Sequence, residues 1–205
     1  VTKHLDDSIY TKIHIMGGAG SGKTTLCRWL AGVLGYPCYE LDMVGWTAAG
    51  KVPLQQRLAA VDEILAQPQW ITEGAFLWWT DSLLAAADVI VWLDLPFPIT
   101  GWRIIKRHMV ASWRGNNPHA GVMNLLRFTT DVGRKYYRRE PLQPEAPDDD
   151  FAITRAATKQ ILSNHTEKLI HCRRQSEIRQ FQGQVRNLVA LLEFKKIKRY
   201  WGGSG

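Results

Sequence analysis

Gly17-Gly18-Ala19-Gly20-Ser21-Gly22-Lys23-Thr24 is the stretch whose reading decides the fold. It meets the phosphate-binding pattern G-x-x-x-x-G-K-[ST] at every defined position. Glycines at these spacings let the backbone turn tightly and aim successive N–H groups inward, so a β-phosphate can lie in a ring of donors with no side chain in the way. Lys23 adds a mobile positive charge for the β- and γ-phosphates, and the Thr24 hydroxyl is placed to ligate the Mg²⁺ that bridges them. Thr25, the next residue on the helix that follows, completes the nucleotide-binding set. That helix points its positive end at the anion.

The flanks agree. Lys12-Ile13-His14-Ile15-Met16 reads as a short apolar strand, while Leu26, Trp29, Leu30, Val33 and Leu34 recur at helical spacing. Working outward, Pro37 to Leu41 suits a second strand whose pleat sends Glu40 and Asp42 to one side. Gly45 to Val52, with Trp46, reads as a loop; Pro53 opens a helix with Leu54, Leu58, Val61 and Leu65 on its inner face. Gln69 to Glu73 is a third strand ending in an acid before Gly74, and Trp78 to Ala87 a short helix. Asp88 to Asp94 is a nearly unbroken apolar run of the kind found at the centre of a parallel sheet.

Beyond Pro96 and Pro98, a helix from about Ile99 to Trp113 is expected to turn Trp102, Ile105, Met109 and Trp113 inward. A loop at Gly115 to Pro118 leads to a second helix, Val122 to about Arg139, with Leu125, Leu126, Thr129, Val132 and Tyr136 inward. Glu140 to Asp150 has no apolar pattern to bury and reads as a mobile loop. A helix over Thr154 to His165, a fifth strand over Lys168 to Cys172 and a last helix over Ser176 to Glu193 complete the chain.

Five short strands alternating with helices predict an α/β fold: a five-stranded parallel sheet with helices on both faces, in the three-layer P-loop NTPase arrangement. Ligands bind at the carboxyl ends of such strands, which lines up the glycine loop, Asp42, Glu73 and Asp94. At 205 residues the chain accommodates one domain, expected over residues 1–201, with Gly202-Gly203-Ser204-Gly205 a flexible tail.

Composition narrows the class. No apolar run reaches the length of a membrane-spanning helix and no secretion signal opens the chain, so a cytoplasmic protein with no membrane partner is expected. Cys27, Cys38 and Cys172 are odd in number and widely spaced, which reads as buried thiols rather than a disulfide or zinc framework. The net charge of +7 is confined: residues 103–139 carry nine Lys/Arg against Asp131 alone. Confined charge suggests an anion clamp; the shorter run Lys195 to Arg199 could touch nucleic acid or lipid headgroups, or simply be solvated. Trp29, Trp70, Trp92 and Trp102 read as core, whereas Trp46, Trp78 and Trp79 could instead stack an aromatic substrate.

In order along the chain, these residues resemble the adenylate-kinase-like P-loop kinases, and among them the DNA topology modulation (FlaR-like) proteins. The resemblance rests on Gly17 to Thr24, Leu41-Asp42 with Trp46, Trp70-Ile71-Thr72-Glu73-Gly74, Leu93-Asp94-Leu95-Pro96, Trp102-Arg103 with Lys106-Arg107, and Glu177-Ile178 with Phe181. It implies an ATP- and Mg²⁺-dependent kinase with a helical, Arg-rich lid over about residues 103–150. Arg107, Arg134 and Arg138 would close on the transferred phosphoryl group, with Arg103, Arg127 and Arg139 as alternatives. Asp42 would orient or deprotonate the acceptor hydroxyl or hold a metal-bound water, or else cap its turn. Glu73, where the family has Asp, would serve the metal, and Asp94 is expected to bond backbone at its strand end.

Nucleoside monophosphate kinases follow Gly74 with an arginine for the acceptor phosphate; Ala75-Phe76-Leu77 stands here, so the acceptor lacks a phosphate or is held by Arg57 or another residue. The partners expected are a nucleoside triphosphate and a small-molecule acceptor. The competing reading is a nucleotide-switched regulator that binds DNA through its basic segments.

Overall fold

The computed structural model describes residues 10–113, 122–138, 140–146, 148–150 and 152–201, the side chains of 122 and 195–201 aside. The expectations for Arg114, Gly115 to Pro118, Arg139 and the 202–205 tail, and for the side chains of Lys195 to Arg199, lie outside the described residues.

Strand β1 (Lys12–Gly17) runs into the glycine loop and helix α1 (Lys23–Leu34). Then come β2 (Cys38–Glu40), α2 (Leu41–Gly45), a small antiparallel hairpin of β3 (Trp46–Thr47) and β4 (Gly50–Lys51), α3 (Leu54–Leu65), β5 (Trp70–Gly74), α4 (Asp81–Ala86) and β6 (Val89–Leu93). The second half comprises α5 (Phe97–Trp113), α6 (Val122–Asp131) continuing as a π-helical turn (Val132–Tyr136), α7 (Arg155–Leu162), a 3₁₀ turn (Ser163–Lys168), β7 (Leu169–Cys172) and α8 (Gln175–Trp201).

The sheet is parallel, ordered β2-β5-β1-β6-β7. Alternating side chains on the inner strands divide its two faces, as the pleat requires. Ile13, Ile15, Val89, Val91 and Leu93 pack with Leu26, Cys27 and Leu30 of α1 and Ile178, Phe181 and Val185 of α8. Met16, Trp70, Ile90 and Trp92 pack with Val61 and Ile64 of α3, Leu83 and Leu84 of α4, and Ala157 and Leu162 of α7. This is the five-stranded parallel sheet with helices on both faces expected from the motif order. Register sets the strand tips level: Glu40 pairs with Glu73, Ile15 with Glu73, Met16 with Gly74, and Gly17 with Leu93.

Several local expectations are corrected. The apolar run at Val89–Leu93 is interior, but the middle of the sheet belongs to β1. Asp42 sits in the first turn of α2 and not on a pleat with Glu40. Residues 46–51 pair as a hairpin, and helix α4 begins at Asp81, three residues after Trp78. On α3 the charged Arg57, not Leu58, is the buried residue, because carboxylates from far along the chain meet it. The 140–150 loop is therefore tethered by polar contacts despite having no apolar pattern.

Helix α5 reverses its expected orientation. Thr100, Gly101 and Ile104 are buried, while Trp102, Met109 and Trp113 are exposed, and Leu126 on α6 is exposed as well. Close approach explains it: a Cβ at Gly20 would meet the Thr100 carbonyl oxygen at 2.5 Å. Small residues let α5 press its backbone on the glycine loop, and hydrophobic periodicity cannot see that. The thiol expectation fails for two of three cysteines. Cys27 and Cys38 form a disulfide, their Cα atoms 6.0 Å apart, because α1 ends on left-handed Gly35 and the chain doubles back beside it. Cys172 remains a buried thiol, its pKa pushed up to about 12 by burial and the nearby Glu177.

Candidate functional site

The glycine loop leaves the tip of β1 with Gly17, Gly20 and Gly22 in positive-φ backbone, and the Ser21 N–H donates to the Gly18 carbonyl across the turn. Gly20 and Gly22 lie at φ 75° and 101°, where a side chain would strain the turn. Ala19 sits half-exposed on the loop between them and Thr25 is exposed on α1. The Ser21 hydroxyl is buried with no hydrogen-bond partner, a polar group facing the inside of the loop.

Lys23 and Thr24 both converge on Glu73 at the tip of the adjacent strand β5. The Thr24 hydroxyl donates to Glu73 Oε1 at 2.5 Å, and the Lys23 ammonium lies 4.0 Å from Oε2 and 3.5 Å from the Gly18 carbonyl. Glu73 is 1% exposed and its Oε2 lacks a hydrogen-bond partner. Burial pushes its pKa up, Lys23 and the Thr24 hydroxyl pull it down, and the charges of Asp42 and Glu40 add to the rise; the net shift is upward. Asp42, exposed on α2, thus shares the electrostatic neighbourhood of Glu73 without a hydrogen-bonded or ion-paired partner among the described residues.

The site's second wall comes from the segment after β6. Tyr136 on the π-helical turn covers the loop so closely that a Cβ on Gly18 would lie 2.6 Å from its ring. Tyr137 beside it donates to the Leu95 carbonyl at 2.7 Å and meets the Thr100 hydroxyl at 3.0 Å, fastening this turn to the start of α5.

The basic segment divides. Arg103 grips the loop from outside, donating to the Ser21 carbonyl at 2.8 Å and to Gln175 at 2.5 Å. Arg107, Arg127, Arg134 and Arg138 are exposed, so the structure does not bring the expected clamp onto the loop.

Two clusters escaped the sequence reading. Asp94, buried at the end of β6, accepts both guanidinium bonds of Arg155 (2.5 and 2.7 Å) and one contact from His171 Nε2 (2.8 Å). Its bonds are therefore to side chains, where backbone had been expected; burial raises its pKa, but His171 and Arg155 overcome that and leave it below the usual carboxylate range. Arg155 projects from the first turn of α7 to the strand tips, with its side chain 45% exposed.

The second cluster is Arg57, fully buried, paired with Asp148 and with Asp150 at 3.3 Å. Lys51 joins from β4, 2.9 Å from Asp148 and 3.5 Å from Asp150. Trp79 donates to Asp150 at 3.1 Å while Arg57 lies over its ring at 5.1 Å. Trp79 is thus core and hydrogen-bonded, and Trp46 is 38% exposed on the hairpin. No spacing pattern links residues 57 and 148–150; the arginine followed by a lone acidic run was the sole trace.

No protein-family model matches the chain, and no curated protein matches it in sequence. Among proteins of known structure it is similar to a gluconokinase from Sinorhizobium meliloti 1021 (17% identity, 76% of this chain and 96% of the other, TM-score 0.40). It is also similar to shikimate kinase from Acinetobacter baumannii in complex with shikimate (16%, 94% and 93%, 0.43) and from Bacteroides thetaiotaomicron (17%, 90% and 99%, 0.46).

Proposed function

We propose that this protein is an ATP- and Mg²⁺-dependent kinase that transfers a terminal phosphoryl group to a small-molecule hydroxyl. The observation that carries the reading is the meeting of Lys23, Thr24 and Glu73 at adjacent strand tips, with one buried carboxylate oxygen left without a partner. A closed structural site would have no use for that oxygen, whereas a hydrated divalent cation beside Thr24 supplies the donor it lacks.

The residues present fit both expected groups. The loop from Gly17 to Gly22 offers backbone donors, the positive-φ Gly20 and Gly22 and the buried, unpartnered Ser21 hydroxyl fit an anion there, and Thr24 would hold the cation with Glu73 fixing its water shell. Mg²⁺ supplies neutralisation of the polyphosphate charge. The chain's own contribution is positioning and electrostatics. Lys23 follows the terminal phosphates, Glu73 keeps the Thr24 hydroxyl aimed, and Tyr136 shuts solvent from the Gly18 side of the loop.

On the acceptor side, Asp42 orients the attacking hydroxyl and takes its proton as the new phosphate ester forms, while the bond from the γ-phosphorus to the bridging oxygen breaks and the nucleoside diphosphate leaves. Arg155 stands at the tip of β6 with its guanidinium held in place by Asp94. It joins Arg107, Arg134 and Arg138 as a cation for the charge that spreads over the equatorial oxygens.

An acceptor screen with labelled ATP and Mg²⁺ tests this, comparing the intact protein with Lys23→Ala and Glu73→Gln. Acceptor-dependent product that disappears in Lys23→Ala supports transfer. Turnover that requires duplex DNA and no small acceptor would replace the kinase reading with the nucleotide-switched regulator.

A further inference from the structure

The basic segment's outer surface is the most unusual feature of the molecule that the proposed reaction does not use. Of thirteen large apolar side chains exposed among the described residues, eight lie on α5 and α6. Trp113 is 87% exposed, Met123 77%, Trp102 62% and Met109 59%. On a helix of 3.6 residues per turn, Trp102, Met109 and Trp113 fall within about 40° of one another, on the side roughly opposite Thr100, Gly101 and Ile104. Since Thr100 and Ile104 seat α5 on the glycine loop, the apolar stripe points away from the loop and movement of α5 toward it would not cover the stripe.

Charge identifies the occupant. Lys106 rises from the edge of the stripe and Arg127 stands exposed on α6, within a stretch carrying nine cations and one acid. A second copy of this face would bring like charges together. Nucleic acid would pair with the cations and could stack on Trp102, Trp113 and Phe128, but it would leave Met109, Met123, Val110 and Ile99 without an apolar partner. An anionic bilayer accepts both halves: aliphatic and indole side chains enter the boundary between headgroups and acyl chains, and lysine and arginine snorkel to phosphate.

We propose that α5, with the exposed side of α6, is a membrane-surface docking face for anionic lipid. No described helix is long and apolar enough to cross a membrane, and this face requires none. Surface binding is independent of the sequence criterion that led to an expectation of no membrane partner, because that criterion concerned spanning segments only.

Vesicle co-sedimentation of the full chain is the test, using neutral phosphatidylcholine vesicles beside vesicles with about one third phosphatidylglycerol. Binding is expected on the anionic vesicles alone and should fall as salt rises from about 0.1 to 1 M, where the Debye length shrinks from about 10 to 3 Å. Met109→Ser combined with Trp113→Ser should lower partitioning about tenfold or more, since two inserted apolar groups are lost. Lys106→Glu should lower it while leaving the circular dichroism spectrum and melting temperature unchanged, which separates lost docking from lost folding. Equal binding to neutral vesicles, no binding to either, or indifference to all three substitutions overturns the proposal. So does duplex DNA binding, or self-association, that these substitutions abolish while vesicles remain unbound. Nucleotide affinity measured on the same samples keeps this result distinct from the fate of the kinase reading.

Discussion

The phosphate loop and the segment that overlies it are built on opposite principles. Between Lys12 and Thr24 the turn itself is closed by near neighbours and by the adjacent strand: Ser21 to Gly18, Lys23 to Gly18, Thr24 to Glu73. From residue 94 to 155 the contacts join residues tens of positions apart, as with Asp94 and Arg155, Arg57 and Asp150, or Arg103 and Ser21. The first region is set by backbone geometry and tolerates little change. The second is held by charged side chains that can exchange partners, as the proposed closure over substrate would require.

Substitutions can break this comparison. Lys23→Ala should reduce phosphoryl transfer by about 10³-fold or more, with nucleotide binding by calorimetry weakened in parallel. A variant that retained wild-type transfer would show the loop is not the reaction centre. Arg134→Ala, in the overlying segment, should cost about 10²-fold in kcat with nucleotide Kd and melting temperature nearly unchanged, since the side chain is exposed. Loss of stability without loss of rate would instead make it structural.

Stability changes sharpen the contrast. Arg57→Met should destabilise by about 3 kcal/mol in urea unfolding, because Asp150, 6% exposed, stays buried and loses its guanidinium partner. Cys38→Ser, or reduction of the wild type, should cost about 2–3 kcal/mol for a loop with an 11-residue separation. An unchanged denaturation midpoint after reduction would show that the pair does not brace α1 against β2.

The smallest expected effect is one of pH. Asp94 has a folded pKa below the ordinary 3.8, so its contribution is complete above that value and is lost as pH falls through the depressed one. Melting temperature should therefore decline more steeply below pH 4 in the wild type than in Asp94→Asn. Glu73 has the opposite sign: its raised pKa favours the folded state at low pH, and Glu73→Gln should remove a destabilisation that grows as pH rises above its ordinary 4.5. Parallel pH curves for wild type and variant in either case would refute the assigned environment.

How much could be read in advance follows the same division. Lys12 to Thr24 is legible because alternation, glycine spacing and a Lys-Thr pair each demand a particular backbone, and all three demand the same one. Glu73 was legible as an acid at a strand end; that it receives the Thr24 hydroxyl depends on β5 lying beside β1. Arg57 was read as a candidate to hold the acceptor and is fully buried, paired with two aspartates. The orientation of α5 was misread because a rule that turns tryptophans inward competes with close backbone packing between Gly20 and Thr100, and packing prevailed. Cys27 and Cys38 were read apart since their spacing matches no motif, and only the reversal at Gly35 unites them.

By itself, then, the sequence determined the parallel α/β sheet, the phosphate loop and the acids at the strand tips, since each follows from periodicities and backbone freedoms encoded within a few residues. Tertiary structure alone decided which charges pair, which face of α5 meets solvent and which cysteines join. Those outcomes depend on distances between segments far apart in the chain, where many pairings suit the residue types and the packed fold selects one.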